Sequence, residues 1–140
     1  MAKIDIKRLG PGDASVLDRV AADVFDEPIH KKRLAAYLRE PGHFLFVAIC
    51  EDVVIAQAAA VIHRHPDKVT ELYIDEVGVT PEFQQQGVAK RLLDALFKLG
   101  REEGCAEAWV GTEQDNAPAK RLYESRGANG EPFVMYLYKL

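Results

Sequence analysis

The residues with the clearest chemical potential sit in one loop, Gln84-Gln85-Gln86-Gly87-Val88-Ala89. It lies between an apolar run ending at Val79 and an amphipathic run beginning at Val88. Strand, glycine-containing loop and helix in that order make an anion site. The first N–H groups of a helix have no partner within it, and the dipole favours negative charge there. Gly87 lets backbone approach a ligand with no side chain between them. The chemistry this suggests is the holding of a phosphate group. Three other groups bear on the same place: the Glu113 carboxylate, the Asn116 amide and the Tyr123 phenol, all just beyond the next apolar run.

The elements that must position these groups can be read from periodicity. Residues 3–9 alternate as a half-buried strand, Gly10-Pro11-Gly12 breaks it, and Asp13 is placed to cap a helix carrying Val16, Leu17, Val20 and Val24 on one face. A second short helix is marked by Leu34, Tyr37 and Leu38 and ends at Pro41. Apolar runs at 44–50, 53–62 and 69–79, separated by Glu51-Asp52 and by the polar loop 63–68, predict an antiparallel meander. Val88 to Glu103 is strongly amphipathic, with Val88, Leu92, Leu96 and Leu99 on one face and Gly104 placed to end it. Residues 106–112 form a further strand, Pro118 to Tyr123 belong to a last helix stopped by Gly127, and residues 133–140 predict a final strand.

Strand 69–79, the long helix and strand 106–112 make a crossover unit, which joins parallel strands with a right-handed turn. The C-terminal ends of the two strands therefore lie side by side, where ligands bind in such sheets. The Gln84–Ala89 loop, Glu113 and Asn116 then share one mouth, and Tyr123 lies ~9 Å along the helix that starts there, at 1.5 Å per residue. A phosphate group at Gly87 with an arm reaching Tyr123 describes coenzyme A better than ATP. Neither G-x-x-x-x-G-K-[ST] nor G-x-G-x-x-G is present.

At 140 residues the chain fits one domain, 1–140, and a net charge of −4 argues against a dedicated nucleic-acid binder while suiting a cationic substrate. No run approaches a membrane span, and the N-terminus lacks the apolar core of a signal peptide. Cys50 and Cys105 have no metal-type spacing and read as free thiols in a cytoplasmic protein. His63-x-His65 has no carboxylate or cysteine at useful spacing in the sequence. It reads as a solvated turn, and no metal is expected.

The segment Gln84 to Ala89 resembles the Gln/Arg-x-x-Gly-x-Gly/Ala loop of the GNAT acetyltransferase superfamily. Asn116-Ala117-Pro118-Ala119-Lys120-Arg121-Leu122-Tyr123, followed by Gly127, is similar to that family's second motif, Asn-x-x-Ala-x-x-Leu-Tyr-x-x-x-Gly. The order of elements matches across essentially the whole chain. Residues 72–79 look more narrowly like the small aminoglycoside 3-N-acetyltransferases. Ala89 replaces the commoner glycine, and Ala128 replaces a frequent phenylalanine.

The resemblance implies an α/β fold: a mixed, mostly antiparallel sheet with a splayed parallel pair, 69–79 and 106–112, flanked by about four helices. It implies acetyl transfer from acetyl-CoA to a primary amine, by direct attack in a ternary complex. The acceptor would be a small molecule such as an aminoglycoside. The alternatives are a protein or peptide acceptor, or a CoA-binding regulatory module without turnover. Backbone groups of Val77 and Val79 would pair with the pantetheine arm. Gln84 opens the cradle, and the N–H groups of Gln85, Gly87, Val88 and Ala89 would hold the pyrophosphate. Asn116 would contact the arm, and Tyr123 would protonate the leaving thiolate. Glu76 is the first choice of general base. Alternation places it toward the cleft and turns Asp75 inward with Val77 and Val79, while Glu113 is a second candidate for base or cation binding. Acceptor specificity is expected in residues 20–40, including Phe25, Tyr37 and the Lys31–Arg33 cluster, and in the 63–68 loop. Many members of the superfamily pair, so a homodimer is expected.

Overall fold

The computed structural model describes residues 2–140. Five strands, β1 (Ile4–Leu9), β2 (His43–Cys50), β3 (Val53–His63), β4 (Glu71–Val79) and β5 (Glu107–Val110), form one sheet in the order β1-β2-β3-β4-β5. The first four are antiparallel neighbours, and β4 and β5 are parallel. Helix α2 (Val88–Glu102) is the crossover between them, and α1 (Lys31–Arg39) and α3 (Ala117–Ser125) complete the regular helices.

The core has two layers, one on each face of the sheet. Val88, Leu92, Leu93 and Leu96 of α2 pack on Ala56, Ala58, Ala60, Leu72 and Ile74. The alanines of β3 bring the helix close to the sheet, and each fully buried leucine contributes roughly 1.5–3 kcal/mol of apolar burial. On the other face Leu45, Val47, Val54 and Ala59 are covered by Leu17, Val24 and the apolar side of α1, including Leu34, Tyr37 and Leu38. Helix α2 ends as its sequence requires: Gly104 takes φ 85°, and the N–H of Cys105 donates back to the Gly100 carbonyl at 2.8 Å.

The structure corrects the expected helix count. Three α-helices are described rather than about four, because the segment after Asp13 forms only a short 3-10 turn, Ala14–Asp18. The Asp13 carboxylate accepts from the Gly10 N–H at 2.8 Å and pairs with Lys7 at 3.4 Å, so it caps no helix. Residues 19–21 then pair with β3: the N–H of Ala21 donates to the Val54 carbonyl, and the N–H of Val54 donates to Arg19, both at 2.9 Å. Those bonds take the backbone groups a helix would need. Leu17 and Val24 are buried as the pattern required; the periodicity marked a core face without marking the helix.

The parallel pair is also shorter than expected, β4 spanning Glu71–Val79 and β5 only Glu107–Val110. The expected last strand does not form. Residues 133–140 are without secondary structure and lie exposed, Phe133 at 61% and Tyr138 at 81%, and among the described residues no strand pairs with them.

Candidate active site

The cleft originates in a mismatch of length. Strand β4 stays paired with β3 to its last residue, Val79 opposite Ala56, but its pairing with β5 stops at Ile74 opposite Val110. Residues 75–79 therefore present backbone to an opening instead of to a neighbouring strand. A bulge shapes the same place: Ala59 pairs with Glu76 and Ala60 with Ile74, leaving Asp75 as the extra residue. An extra residue shifts the alternation of side chains. Leu72 and Ile74 before it, and Val77 and Val79 after it, all face α2. Asp75 consequently does not turn inward as strict alternation predicts. It is exposed, and it lines the cleft beside Glu76.

A cavity of about 240 Å³ occupies the opening, lined by Asp75, Glu76, Val77 and Gly78 of β4, by Val110 at the end of β5 with Gly111 and Thr112 after it, and by the α3 cap Asn116 with Ala119 and Tyr123 of that helix. Asp23, Val24, Asp26 and Gln57 close its other side. The loop bearing Asp23 and Asp26 is seated against Gly78, where an added Cβ would fall well inside 3.0 Å of the Val24 carbonyl oxygen. Buried Gln57 donates from Nε2 to the same carbonyl at 3.2 Å. The sequence signal for Gln57 was available, as the one polar residue inside the apolar run 53–62. Asp23 and Asp26 lie in the 20–40 stretch expected to set acceptor specificity but were not singled out there, because a loop's folding back over the sheet is not encoded in local spacing.

Four carboxylates thus meet in one cleft. Burial raises the Glu76 pKa, and the nearby charges of Asp75 and Asp26 raise it further. Asp75, though its surface is accessible, is raised by partial enclosure in the cleft, with its own backbone N–H and the charge of His43 acting against that. Tyr37 donates to the Phe44 carbonyl at 3.2 Å, and burial followed by the charges of Asp75 and Glu76 pushes its phenol pKa up. Burial alone raises Tyr123. Such a site holds a carboxylate of raised basicity and a phenol that stays protonated, the pair needed to move a proton in and a proton out.

The remaining expected groups fall around this cleft. Asn116 lines it while capping α3, its Oδ1 accepting from the Ala119 N–H at 3.1 Å. Val79 and the 84–89 loop lie beyond the cavity. The Val79 carbonyl accepts from Gln84 Nε2 at 3.1 Å, which ties the loop to the strand end. Gln85 and Gly87 both take positive φ, 59° and 81°, and Gly87 caps α2 without a side-chain acceptor. The first N–H groups of α2, at Val88 and Ala89, are therefore left for a ligand. Nothing lies within 4 Å of a Cβ built on Gly87, so the cradle is open. Glu113 is exposed and does not line the cavity; its carbonyl accepts from the Asn116 N–H at 3.0 Å. Lys31, Lys32 and Arg33 are likewise exposed and outside it, and Phe25 lines a separate hollow with Val20 and Pro28.

The model of the acetyltransferase (GNAT) family matches residues 15–128. The chain belongs to the GNAT acetyltransferase family. Among curated relatives it is 29% identical over 99 residues to an aminoglycoside N(6')-acetyltransferase type 1 of Salmonella typhimurium (strain LT2), which covers 67% of this chain and 68% of that one. It is 35% identical over 66 residues to the [ribosomal protein bS18]-alanine N-acetyltransferase of Escherichia coli (strain K12), 44% of this chain and 45% of that one. Among solved structures, an aminoglycoside acetyltransferase from an uncultured soil metagenomic sample, in complex with sisomicin, aligns with TM-score 0.79 at 21% identity over 98% of this chain and 95% of that one. The aminoglycoside N-acetyltransferase AAC(6')-Iy in complex with CoA aligns with TM-score 0.79 at 22% identity over 99% and 96%. At these identities the structural likeness establishes the fold. The aminoglycoside relatives carry N(6') in their names, a different ring position from the 3-N subgroup that residues 72–79 resemble.

Proposed function

We propose that this GNAT acetyltransferase moves an acetyl group from acetyl-CoA to a primary amine of a small cationic acceptor. The observation that carries the reading is the convergence of Asp23, Asp26, Asp75 and Glu76 on the cleft that also holds Tyr123 and Asn116. A cleft lined by one sign of charge concentrates ligands of the other sign. Lys31, Lys32 and Arg33 do not line it, so they place no positive charge on its wall. An aminoglycoside acceptor agrees with the relatives' names.

The cofactor arms are assigned in the same reading. The pyrophosphate sits on the N–H groups of Gln85, Gly87, Val88 and Ala89, with Gln84 holding the loop to the strand. The pantetheine arm pairs with the free backbone of Val77 and Val79, and Asn116 touches it from α3. A cavity of about 240 Å³ takes the reacting ends rather than the whole cofactor. Glu76 removes a proton from the ammonium, whose ordinary pKa is near ~10.4, and its raised basicity suits that task. The amine attacks the thioester directly, the acetyl group passes to nitrogen, and Tyr123 protonates the departing thiolate. Glu113, outside the cavity, binds positive charge at the rim. Burial raises the Cys105 thiol pKa, Cys50 is buried, and neither lines the cleft, so neither serves a covalent route.

Two copies pair in this reading. The exposed residues 133–140 have strand character and no partner, and β5 is an edge strand whose Trp109 is 43% exposed. Sedimentation of the full chain should give a dimer, and a chain ending at Glu131 a monomer; a full chain that sediments as a monomer defeats this part. Among the described residues no helix is long and apolar enough to cross a membrane. The two unpaired cysteines suit the reducing cytoplasm.

The decisive assay is release of free CoA from acetyl-CoA across aminoglycosides, polyamines, amino acids and peptides with free N-termini. Turnover with the first two groups is the expected result. Turnover only with peptides would replace the small-molecule reading by that of the ribosomal-protein relatives. Thermal stabilisation by acetyl-CoA without any turnover would leave a CoA-binding regulatory module.

A further inference from the structure

At the opposite end of β4, three side chains converge that the sequence keeps apart. His63 ends β3 and pairs in register with Glu71, the first residue of β4, and His65 stands in the connecting loop. One ligand atom from each of the three lies within 4.8 Å of the others. His65 Nε2 is 3.3 Å from Glu71 Oε1, with the His65 and Glu71 side chains only 13% and 19% exposed. The two imidazoles lie against each other with centroids 4.2 Å apart and ring planes tilted by 41°. His65 Nε2 is shielded from solvent and makes no hydrogen bond, so its approach to Glu71 lacks hydrogen-bond geometry. An unpartnered buried nitrogen is costly.

We propose that His63, His65 and Glu71 form a binding site for a divalent transition-metal ion of the zinc class. Two ligands on one tetrahedral zinc, each ~2.0–2.2 Å from the metal, stand ~3.3–3.5 Å apart, which is the separation already present between His65 and Glu71. Two imidazoles and a carboxylate are the donors that zinc takes, with a fourth position left to water. His63 is the exposed member and closes the set by a side-chain rotation. Five residues of strand, or ~16 Å, separate Glu71 from Glu76, so the ion takes no part in acetyl transfer. It clamps the loop between β3 and β4. The reading of His63-x-His65 as a merely solvated turn lacked Glu71, which β-pairing brings beside His63 from eight positions further along the chain.

The test is titration of the metal-stripped full chain with Zn2+ by calorimetry, and with Co2+ by absorption. One equivalent should bind, with Co2+ bands in the visible region and no thiolate charge-transfer band. Melting temperature should rise with Zn2+. His65→Gln and Glu71→Gln should each weaken binding by at least about tenfold and abolish the thermal shift. A Cys105→Ser chain should bind as the unaltered protein does. Circular dichroism confirms that each variant is folded, and His63→Ala on the exposed side supplies a further variant that disturbs no core contact. Absence of saturable binding in the folded full chain overturns the site. So does binding that survives all three substitutions or disappears in Cys105→Ser.

Discussion

Gly78→Ala tests how the acceptor side of the cleft is held. A Cβ at this position would lie well inside 3.0 Å of the Val24 carbonyl oxygen, 3.1 Å from the Val24 carbonyl carbon and 3.5 Å from the Asp23 carbonyl oxygen. All three are backbone atoms, so no rotamer change relieves the contact, and the 23–26 loop must move off β4. Overpacking of this kind costs about 1–3 kcal/mol. The displaced Val24 carbonyl also loses its bond from buried Gln57, worth about 0.5–1.5 kcal/mol. The total is about 1.5–4.5 kcal/mol, and unfolding entropy of ~2.1 cal/mol/K per residue converts that to a fall in Tm of about 5–15 °C. Calorimetry and urea unfolding read the loss. Steady-state kinetics should show a raised acceptor KM, since Asp23 and Asp26 ride on the displaced loop, with the KM for acetyl-CoA little changed. Gly130→Ala is the control, because nothing lies within 4 Å of a Cβ there. A Gly78→Ala protein with normal Tm and normal acceptor KM would refute the seating of the loop on β4.

Gly87→Ala should act on the other substrate. The position has φ 81° and open space around it, so the penalty of about 1–2 kcal/mol is backbone conformation alone, and acetyl-CoA KM should rise while acceptor KM holds. Glu76→Gln should lower kcat by roughly 10²-fold or more and remove the acid limb of the pH–rate profile. Stability should move the opposite way. A carboxyl with a raised folded-state pKa contributes stability that is present below its unfolded pKa and is lost as pH rises through the folded value. The glutamine variant should therefore gain on the parent above that window and match it below; equal stability at all pH values would contradict the shift. Tyr123→Phe should depress kcat with both KM values near normal, and an undiminished kcat would remove Tyr123 from the proton path.

Much of this protein was legible in its local pattern. The meander, the α2 face of Val88, Leu92 and Leu96, the stop at Gly104 and the loop at Gly87 all depend on residues close in sequence, where period and backbone preference act directly. The two motifs sufficed for the family. Where local signals misled, longer-range pairing had taken over. Asp13 spent its carboxylate on Gly10 and Lys7, residues 19–21 gave their backbone to Val54, and residues 133–140 had strand composition but no strand to join.

The sequence by itself determined the meander, the long helix with a glycine-containing loop at its start, and the parallel pairing of β4 with β5, since crossover geometry follows from the chain. Only the tertiary structure decided which charges face one another. A single extra residue at Asp75 turned two adjacent carboxylates into the same cleft, and a loop seated on Gly78 brought Asp23 and Asp26 to join them. The pairing of β3 with β4 likewise set Glu71 beside His63 and His65. Strand register and loop packing depend on contacts between residues remote in sequence, and no local spacing records them.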